Sequence, residues 1–235
     1  MGNELIFDAF RTLSTALIAD ACIRLDVPVR LGPPEIRPLA ASMRLAGGVR
    51  PVRHAGSVDV FLEAVDACLP GEVLVIDNGG LVDEGCIGDL TALEVRAAEM
   101  SGIVVWGCHR DTRELLQIGL PVFSCGPCPL GPRRLDPAGP ERLSLAFVGE
   151  HMVTRGDVVF ADADGVLFIS GHRSAEVLGC AQELWQKERG QAVSLGSGRS
   201  LRMQFQFAEY LHWREADSSY TFRKHLREIN GAIEA

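Results

Sequence analysis

The chain has 235 residues, of which 47% are hydrophobic and 23% are charged, a composition typical of a soluble globular protein. Acidic residues outnumber basic ones by 31 to 23, which gives a net charge of −8. This excess of negative charge repels phosphate backbones, so we expect no nucleic-acid partner. The first ten residues, MGNELIFDAF, lack the basic and apolar regions of a signal peptide, and no stretch is apolar enough to span a membrane.

Seven cysteines are present, an odd number, and most of them lie in apolar stretches. This usage predicts reduced thiols and a cytoplasmic protein. Cys125 and Cys128 have the spacing of a redox pair, but proline and glycine follow them, and a helix cannot begin cleanly there. We therefore expect no redox role for the pair.

Helical and strand-like patterns alternate through the first two thirds of the chain. Ser14 is expected to cap a helix that ends near Leu25, and a loop rich in proline and glycine follows. Extended chain or strand is then predicted over residues 41–54, 72–77, 103–106 and 121–124, and helix over residues 58–68, 88–100 and 112–118. This alternation predicts an α/β fold with parallel strands.

The pattern changes after residue 143. Short apolar runs separated by turns predict antiparallel strands over residues 143–148, 158–161 and 166–169. A helix is predicted over residues 173–189, and the polar, aromatic tail from residue 194 is expected to contain two helices.

Glycines and charged residues stand near the ends of three predicted strands. These stretches are Asp77 to Gly80, Gly85 to Asp89, and Arg110 with Asp111. Ligands of open α/β sheets bind beyond the carboxyl ends of strands. A glycine turn that enters a helix exposes backbone N–H groups to an anion, an arginine can bind the same anion, and an aspartate can bind a hard metal ion.

Each of these features also has a purely structural interpretation. Asp111 with Glu114 three residues later has the spacing of a capping box, with Asp in place of Ser or Thr. Asp89 could cap the helix that follows it. For His109, packing or hydrogen bonding is favoured over a catalytic role.

The run GCIGDLTALEVRAAEMSGIVVWGCHRDTREL, residues 85–115, resembles the signature of the family that includes 4-hydroxy-4-methyl-2-oxoglutarate aldolase and the regulator of ribonuclease E activity A. That family pairs a glycine loop with an Arg-Asp step about twenty residues later. PGEVLVID, TALIADA and RGDVVFADADGVLFIS support the resemblance, which spans about residues 12–190.

The resemblance implies an αββα sandwich of the swivelling, phosphohistidine-like β/β/α type, assembled as a homotrimer or hexamer. On this basis residues 1–192 form the aldolase-like domain. Residues 193–235 form a helical C-terminal extension that we expect to pack on a neighbouring subunit.

The activity that the resemblance implies is cleavage of a 4-hydroxy-2-oxo acid to pyruvate and a second keto acid, with oxaloacetate decarboxylation as a side activity. The implied cofactor is Mg²⁺ or Mn²⁺, with Asp111 as its direct ligand. Arg110 resembles the arginine that steadies the pyruvate enolate. The side chain of Asp89 would hold a metal-bound water, and Glu114 would support the catalytic residues from outside. The substrate loop would comprise Gly85, Gly88, Asp89 and Leu90.

The resemblance also leaves a second function open. Members of the same family inhibit a ribonuclease by protein–protein contact, and aromatic residues of the tail could provide such a surface. These residues are Tyr210, Trp213, Tyr220 and Phe222. Glu114 favours the enzyme, because the regulators tend to lack an acid at that position.

Overall fold

A central sheet of eight strands organises the computed structural model, which describes residues 2–137 and 139–229. The strands of the described residues are β1 (Arg30–Leu31), β2 (Arg37–Pro38), β3 (Leu45–Arg53), β4 (Val73–Asp77), β5 (Gly85–Ile87), β6 (Gly102–Trp106), β7 (Cys108–His109), β8 (Val122–Ser124), β9 (Leu145–Val148), β10 (His151–Thr154), β11 (Asp157–Asp162) and β12 (Gly165–Ser170). The helices are α1 (Asn3–Phe10), α2 (Thr15–Arg24), α3 (Asp59–Asp66), α4 (Asp89–Ala97), α5 (Thr112–Ile118), α6 (Ser174–Gly196), α7 (Leu201–Gln204), α8 (Phe207–Ala216) and α9 (Phe222–Glu228).

The sheet has the strand order β1-β12-β11-β3-β4-β6-β8-β2. Its centre, from β3 to β8, is parallel, because helices α3 to α5 return the chain between these strands. The flanking pairs that involve β1, β2, β11 and β12 are antiparallel. Strand β2 also lies close to β12, so the sheet curls until its two ends approach each other.

The core consists of three hydrophobic clusters. One fills the inside of the curled sheet, with residues such as Val75, Phe123 and Phe168. A second packs helices α1, α2 and α6 against one part of the outer face. The third packs α3, α4 and α5 against the remaining part. The helices therefore lie outside the curled sheet, and β3 and β4 each contribute side chains to both faces.

The carboxyl ends of the parallel strands meet at one edge of the sheet, where Asp77 of β4 pairs with Trp106 of β6. Beyond that edge, β5 and β7 form a separate parallel pair in which Gly85 lies opposite Cys108. Helix α4 follows β5 and helix α5 follows β7, so both helices begin at this small pair of strands.

Most of the predicted elements are confirmed, and the α/β class with parallel strands is correct. Helix α5 has the predicted bounds, and Ser14 caps α2 by accepting a hydrogen bond from the Leu17 N–H at 3.2 Å. The short strands β5, β7 and β10 were not predicted, and the loop after α2 contains the two-residue strands β1 and β2.

The C-terminal part differs from the prediction in two respects. Helix α6 continues to Gly196, so the expected boundary between residues 192 and 193 falls inside it. As far as residue 229, three helices follow rather than two. The division into two domains stays a prediction, and residues 230–235 of the expected extension lie outside the described residues. Within the described residues, no helix is both long enough and apolar enough to cross a membrane.

Candidate active site

The loop between β7 and α5 brings Arg110 and Asp111 beside the beginning of α4. The Arg110 N–H donates to the Ile87 carbonyl at 2.9 Å, which ties this loop to the end of β5. Gly88 follows Ile87 directly and is the N-cap residue of α4. The glycine loop and the Arg-Asp step, 22 residues apart in sequence, are therefore in direct contact.

Asp111 adopts a left-handed backbone conformation, with φ 58° and ψ 41°. Such a conformation costs a residue other than glycine about 1–3 kcal/mol and is concentrated at functional sites. The side chain makes no capping hydrogen bond to α5, so the capping-box interpretation is wrong. The Oδ2 atom instead lies 3.4 Å from the Asp89 backbone nitrogen and 3.4 Å from Arg110 Nε.

Gly88 makes this approach of the Asp111 carboxylate possible. A Cβ atom at position 88 would lie 2.2 Å from Asp111 Oδ2 and 3.3 Å from Arg110 Nε, so any larger residue would displace the carboxylate. The capping interpretation of Asp89 is wrong as well, because Gly88 occupies the N-cap position and Asp89 is the first residue of α4. The carboxylate of Asp89 accepts from the Leu90 N–H at 2.8 Å.

Six of the predicted site residues line one cavity of about 760 Å³, namely Gly85, Gly88, Asp89, Leu90, Arg110 and Asp111. The Arg110 side chain is 50% exposed, so its guanidinium can still contact a ligand. Glu114 lies exposed on α5 and does not line this cavity. Its supporting role stays a prediction that this arrangement does not favour.

The opposite wall of the cavity was missed by sequence reasoning. It is formed by the apolar face of α3, with Phe61, Leu62 and Val65, and by Pro132 of a long irregular segment. The helical spacing on α3 was recognisable, but it predicted core packing, and Phe61 is indeed buried. The contact with Pro132 left no signal in the sequence, because it depends on how a remote loop folds back.

His109 has the hydrogen-bonding role that was predicted for it. The ring is buried, its Nδ1 lies 2.7 Å from Ser124 Oγ, and its Nε2 lies 3.0 Å from Thr112 Oγ1. Burial lowers the pKa of His109, an effect that the nearby Asp111 carboxylate partly opposes. The ring is therefore neutral near pH 7, and it joins β7, β8 and α5 directly beside the Arg-Asp step.

Among the predicted site residues that line the cavity, Asp111 and Asp89 supply carboxylate oxygens as donors for a metal ion. Within residues 2–137 and 139–229, no group of three or more His, Cys, Asp or Glu side chains is placed to hold a metal. Mg²⁺ characteristically binds through one or two carboxylates and completes its octahedron with waters and substrate oxygens. The oxygen-only donor set, and the space that Gly88 leaves for the Asp111 carboxylate, fit an ion of that kind.

The stretch from Asp77 to Gly80 does not join this site. Asp77 forms an ion pair with Arg53 at 3.3 Å and accepts backbone hydrogen bonds from Gly79 and Phe147. Asn78 is buried in a separate polar network, which is described below with Arg134. Of the three predicted strand-end stretches, the structure therefore brings two together.

Comparison with known proteins assigns the chain to a family. The model of the RraA-like family, described as Aldolase/RraA, matches residues 15–168. A protein of Alkalilimnicola ehrlichii with the provisional name 4-hydroxy-4-methyl-2-oxoglutarate aldolase is 30% identical over 148 residues, which cover 63% of this chain and 91% of that protein. A protein of Aromatoleum aromaticum with the same provisional name is 28% identical over 149 residues, covering 63% of this chain and 92% of that one.

Solved structures show the same fold. A protein of unknown function from Pseudomonas syringae has a TM-score of 0.72 and 23% identity, with coverage of 85% of this chain and 96% of that one. Streptomyces coelicolor RraAS2, described as an unusual member of the RNase ES inhibitor RraA protein family, has a TM-score of 0.68 and 23% identity, with coverage of 78% and 93%. The family model, these relatives and the shared fold agree, and the chain belongs to the RraA-like family, which includes proteins provisionally named as aldolases.

Proposed function

We propose that the chain is a divalent-metal-dependent lyase that cleaves a 4-hydroxy-2-oxo acid to pyruvate and a second keto acid. The observation that carries the proposal is the contact of Gly88 with the Asp111 carboxylate, beside the half-exposed guanidinium of Arg110, in one cavity. A capping role does not explain this arrangement, and left-handed strain in residues other than glycine is concentrated at functional sites. The proposed cofactor is Mg²⁺ or Mn²⁺, with Asp111 as its protein ligand.

The pyruvate half of the substrate would bind at the N-terminus of α4. The backbone N–H groups of Gly88, Asp89 and Leu90 stand at the positive end of the helix dipole, which favours a carboxylate. In the structure the Leu90 N–H donates to the Asp89 carboxylate, and the Asp89 N–H donates to the Asp111 carboxylate. The substrate carboxylate would take the place of both side chains as the acceptor of these two N–H groups. Arg110 would place its guanidinium on the 2-keto oxygen, where negative charge develops.

The reaction breaks the bond between C3 and C4, and its electron pair passes to the pyruvate half as an enolate. The 4-hydroxyl group loses its proton and becomes the carbonyl of the second keto acid, while C3 of the enolate takes up a proton. A divalent ion, when bound, supplies Lewis-acid stabilisation of the keto oxygen. Arg110 stabilises the same oxygen, and the Asp89 carboxylate would hold the water that carries the proton.

The same enolate forms when oxaloacetate loses CO₂, so the proposal includes oxaloacetate decarboxylation as a side activity. Glu114 would act only through α5, because it does not line the cavity. We further propose the αββα layering of the swivelling type, assembly as a homotrimer or hexamer, and cytoplasmic localisation. The identity of the second keto acid depends on the wall formed by α3.

The variant Asp111→Ala tests the proposal. We expect metal-dependent pyruvate formation to be lost while the far-ultraviolet circular dichroism spectrum is unchanged, because the Asp111 side chain does not cap α5. The matched control is Asp66→Ala, which removes an exposed carboxylate at the end of α3 and should retain full turnover. Full turnover by a folded Asp111→Ala protein would exclude the proposed role.

A second candidate function is that of a regulator that inhibits a ribonuclease by protein–protein contact. The shared fold with Streptomyces coelicolor RraAS2 and the exposed Trp213 on α8 favour it. Inhibition of a ribonuclease by a protein that forms no pyruvate with either metal would support the regulator and exclude the lyase.

A further inference from the structure

An irregular segment of residues 125–136, which we call the wall loop, crosses the ends of β5 and β7. It contains no helix, and its only strand-like feature is a single bridge between Pro127 and His109. Because Pro132 of this loop lines the candidate active-site cavity, the position of the loop decides the shape of one wall.

The first half of the wall loop is held by backbone hydrogen bonds. The His109 N–H donates to the Gly126 carbonyl at 3.0 Å, and the Cys128 N–H donates to the His109 carbonyl at 2.7 Å. The Gly85 N–H donates to the Leu130 carbonyl at 2.7 Å. This half is thus joined to β5 and β7 as an additional irregular strand would be.

The middle of the wall loop contacts Arg110. A Cβ atom on Gly131 would lie 2.9 Å from Arg110 Nη1, so the backbone at Gly131 is close against the guanidinium. On its other side, Arg110 Nε lies 3.4 Å from Asp111 Oδ2. The direction of the guanidinium is therefore limited by Asp111 on one side and by the wall loop on the other.

Arg134 makes the side-chain contacts that hold the second half of the wall loop. Its Nε lies 3.0 Å from Glu84 Oε1, and its Nη2 donates to Asn78 Oδ1 at 2.7 Å and to the His54 carbonyl at 3.4 Å. Its Nη1 contacts the Asp136 carboxylate within the loop itself. Because Glu84, Asn78 and His54 are buried, these partners form a fixed receptor for the guanidinium.

The partners of Arg134 come from three places in the fold. His54 follows β3, Asn78 follows β4, and Glu84 immediately precedes Gly85 at the start of β5. A planar guanidinium with several donors can join three such points, and an ammonium group cannot do so in the same geometry. The Asp136 N–H adds one backbone hydrogen bond to the Ala55 carbonyl at 2.8 Å.

We propose that Arg134 is a positioning residue of the active site. It anchors the wall loop to the strand ends, so that Gly131 stays against Arg110 and fixes the direction in which that guanidinium meets the substrate. Arg134 lies outside the cavity that Arg110 lines, and it acts only through the loop. The role rests on the proposed lyase function for its kinetic consequence.

The test compares Arg134→Met with Arg134→Lys and with a matched control. Arg133→Met removes the same charge from the neighbouring position, where the side chain is exposed, and should leave activity unchanged. For oxaloacetate decarboxylation with Mg²⁺, we expect Arg134→Met to lower kcat by about ten- to a hundredfold, with a smaller change in KM. Arg134→Lys should recover part of this loss, because it keeps the charge without the fork.

Removal of Arg134 alone leaves the buried Glu84 carboxylate without this partner, which could unfold the protein. The double variant Arg134→Met/Glu84→Gln removes that uncompensated charge and should fold while it keeps the kinetic loss. Hydrogen exchange in the second half of the wall loop provides a second readout, measured at the amides of Gly131 and Arg133 and at the Asp136 N–H that donates to the Ala55 carbonyl. We expect faster exchange there in both variants and unchanged exchange in α2 and α6, which are remote from the loop.

Two outcomes would overturn the proposal: unchanged exchange in the wall loop of a folded variant, or faster exchange in that loop with wild-type kcat. A wild-type protein without any turnover would instead remove the lyase function. In that case the affinity for oxalate, a stable mimic of the enolate, would test whether Arg134 positions the Arg110 guanidinium. Weaker oxalate binding by Arg134→Met than by Arg133→Met would support the positioning role, and equal binding would exclude it.

Discussion

Asp111 combines backbone strain with a partly buried carboxylate that we propose to bind the metal ion. Glycine adopts positive φ without steric cost, so Asp111→Gly should leave the free energy of unfolding within about 1 kcal/mol of wild type or raise it, while pyruvate formation is lost. Asp26, with φ 51°, is a second strained aspartate outside the site. Asp26→Gly is the matched control and should change stability in the same direction with full activity. A strongly destabilised Asp111→Gly protein would show that the carboxylate has a structural role.

Gly88 permits the approach of Asp111 to α4. In Gly88→Ala the new methyl carbon would lie only 2.2 Å from Asp111 Oδ2. This distance is too short for a non-bonded contact, so the carboxylate would be displaced. Because misplacement by about 1 Å can cost on the order of 100-fold in rate, we expect kcat/KM for oxaloacetate to fall by about that factor. Gly179→Ala on α6, where a methyl group meets no atom within 4 Å, should leave kcat/KM unchanged. Equal kinetics for the two variants would contradict this account of Gly88.

At the residue scale, residues that the sequence singled out lie together in one cavity, and their roles stay predictions. The resemblance of residues 85–115 to a family signature identified Gly88, Asp89, Arg110 and Asp111 as neighbours, and the structure brings them together. The left-handed conformation of Asp111 could not be predicted, because it depends on the hydrogen bond between the Arg110 N–H and the Ile87 carbonyl. That contact exists only after β5 and β7 have paired.

At the scale of elements, the ends of β3 and β4 are joined by a buried histidine. His54 Nδ1 lies 2.7 Å from Asn78 Oδ1, and the ring stacks on Phe61 at a centroid distance of 5.0 Å. Burial is the main cause that lowers the pKa of His54, and Arg134 lowers it further, while the hydrogen bond with Asn78 opposes the shift. The folded protein thus favours the neutral ring.

This shift predicts how stability depends on pH. Between the lowered pKa of the folded state and the ordinary value near 6.5, the unfolded chain binds more protons at His54, so stability falls as pH decreases through that window. His54→Gln should therefore reduce the slope of the free energy of unfolding between pH 7 and 5, measured by urea denaturation. His109, whose pKa is also lowered, leaves a residual slope. An unchanged slope in His54→Gln would contradict the prediction.

Elements long enough to show a repeated apolar pattern were predictable from the sequence, and strands of two or three residues such as β5 and β7 were not. Helix α5 and strand β4 follow directly from apolar spacing, as does the capped start of α2. Strands β5 and β7 have three and two residues, which is too short for an alternating pattern to appear. They are nevertheless the strands that position the site. Their pairing is decided by the surrounding sheet and the wall loop, and so it leaves no pattern in their own sequence.

At the scale of the whole molecule, the last helices form an aromatic cluster of their own. It joins α8 and α9, with the rings of Tyr210 and Phe222 at a centroid distance of 4.9 Å. His225 lies within it, with its Nδ1 3.2 Å from the Tyr220 hydroxyl and its Nε2 2.8 Å from the Phe205 carbonyl. In the described part of the chain, the three core clusters include no residue beyond Trp185. The body of the protein therefore does not depend on these helices for its core.

A chain that ends at Ser197 should consequently keep the fold of the body. We expect its melting temperature to change by only a few degrees, since none of the three core clusters is lost. If the extension packs on a neighbouring subunit, the truncated chain should form a smaller assembly, as measured by light scattering during size-exclusion chromatography. Trp213→Ser, at a side chain that is 55% exposed, should weaken the assembly in the same direction. An unchanged assembly in both proteins would exclude a role of the extension between subunits.

The overall architecture was predictable as a class but not as a closed shape. Alternation of helices and strands predicted the parallel centre of the sheet, and the antiparallel runs after residue 143 predicted β9, β11 and β12. The approach of β2 to β12, which curls the sheet, involves a strand of only two residues in a loop rich in proline. Such closure is a property of the packed core, and local sequence patterns do not encode it.

We propose that Arg110 and Asp111 form a metal-dependent lyase site. Its most direct test is the release of pyruvate from oxaloacetate and from 4-hydroxy-4-methyl-2-oxoglutarate, measured with Mg²⁺ or Mn²⁺ and again after addition of EDTA. We expect pyruvate formation that requires the metal and that Asp111→Ala abolishes. Absence of pyruvate from folded protein with both metals, or formation that persists in EDTA and in Asp111→Ala, would contradict it.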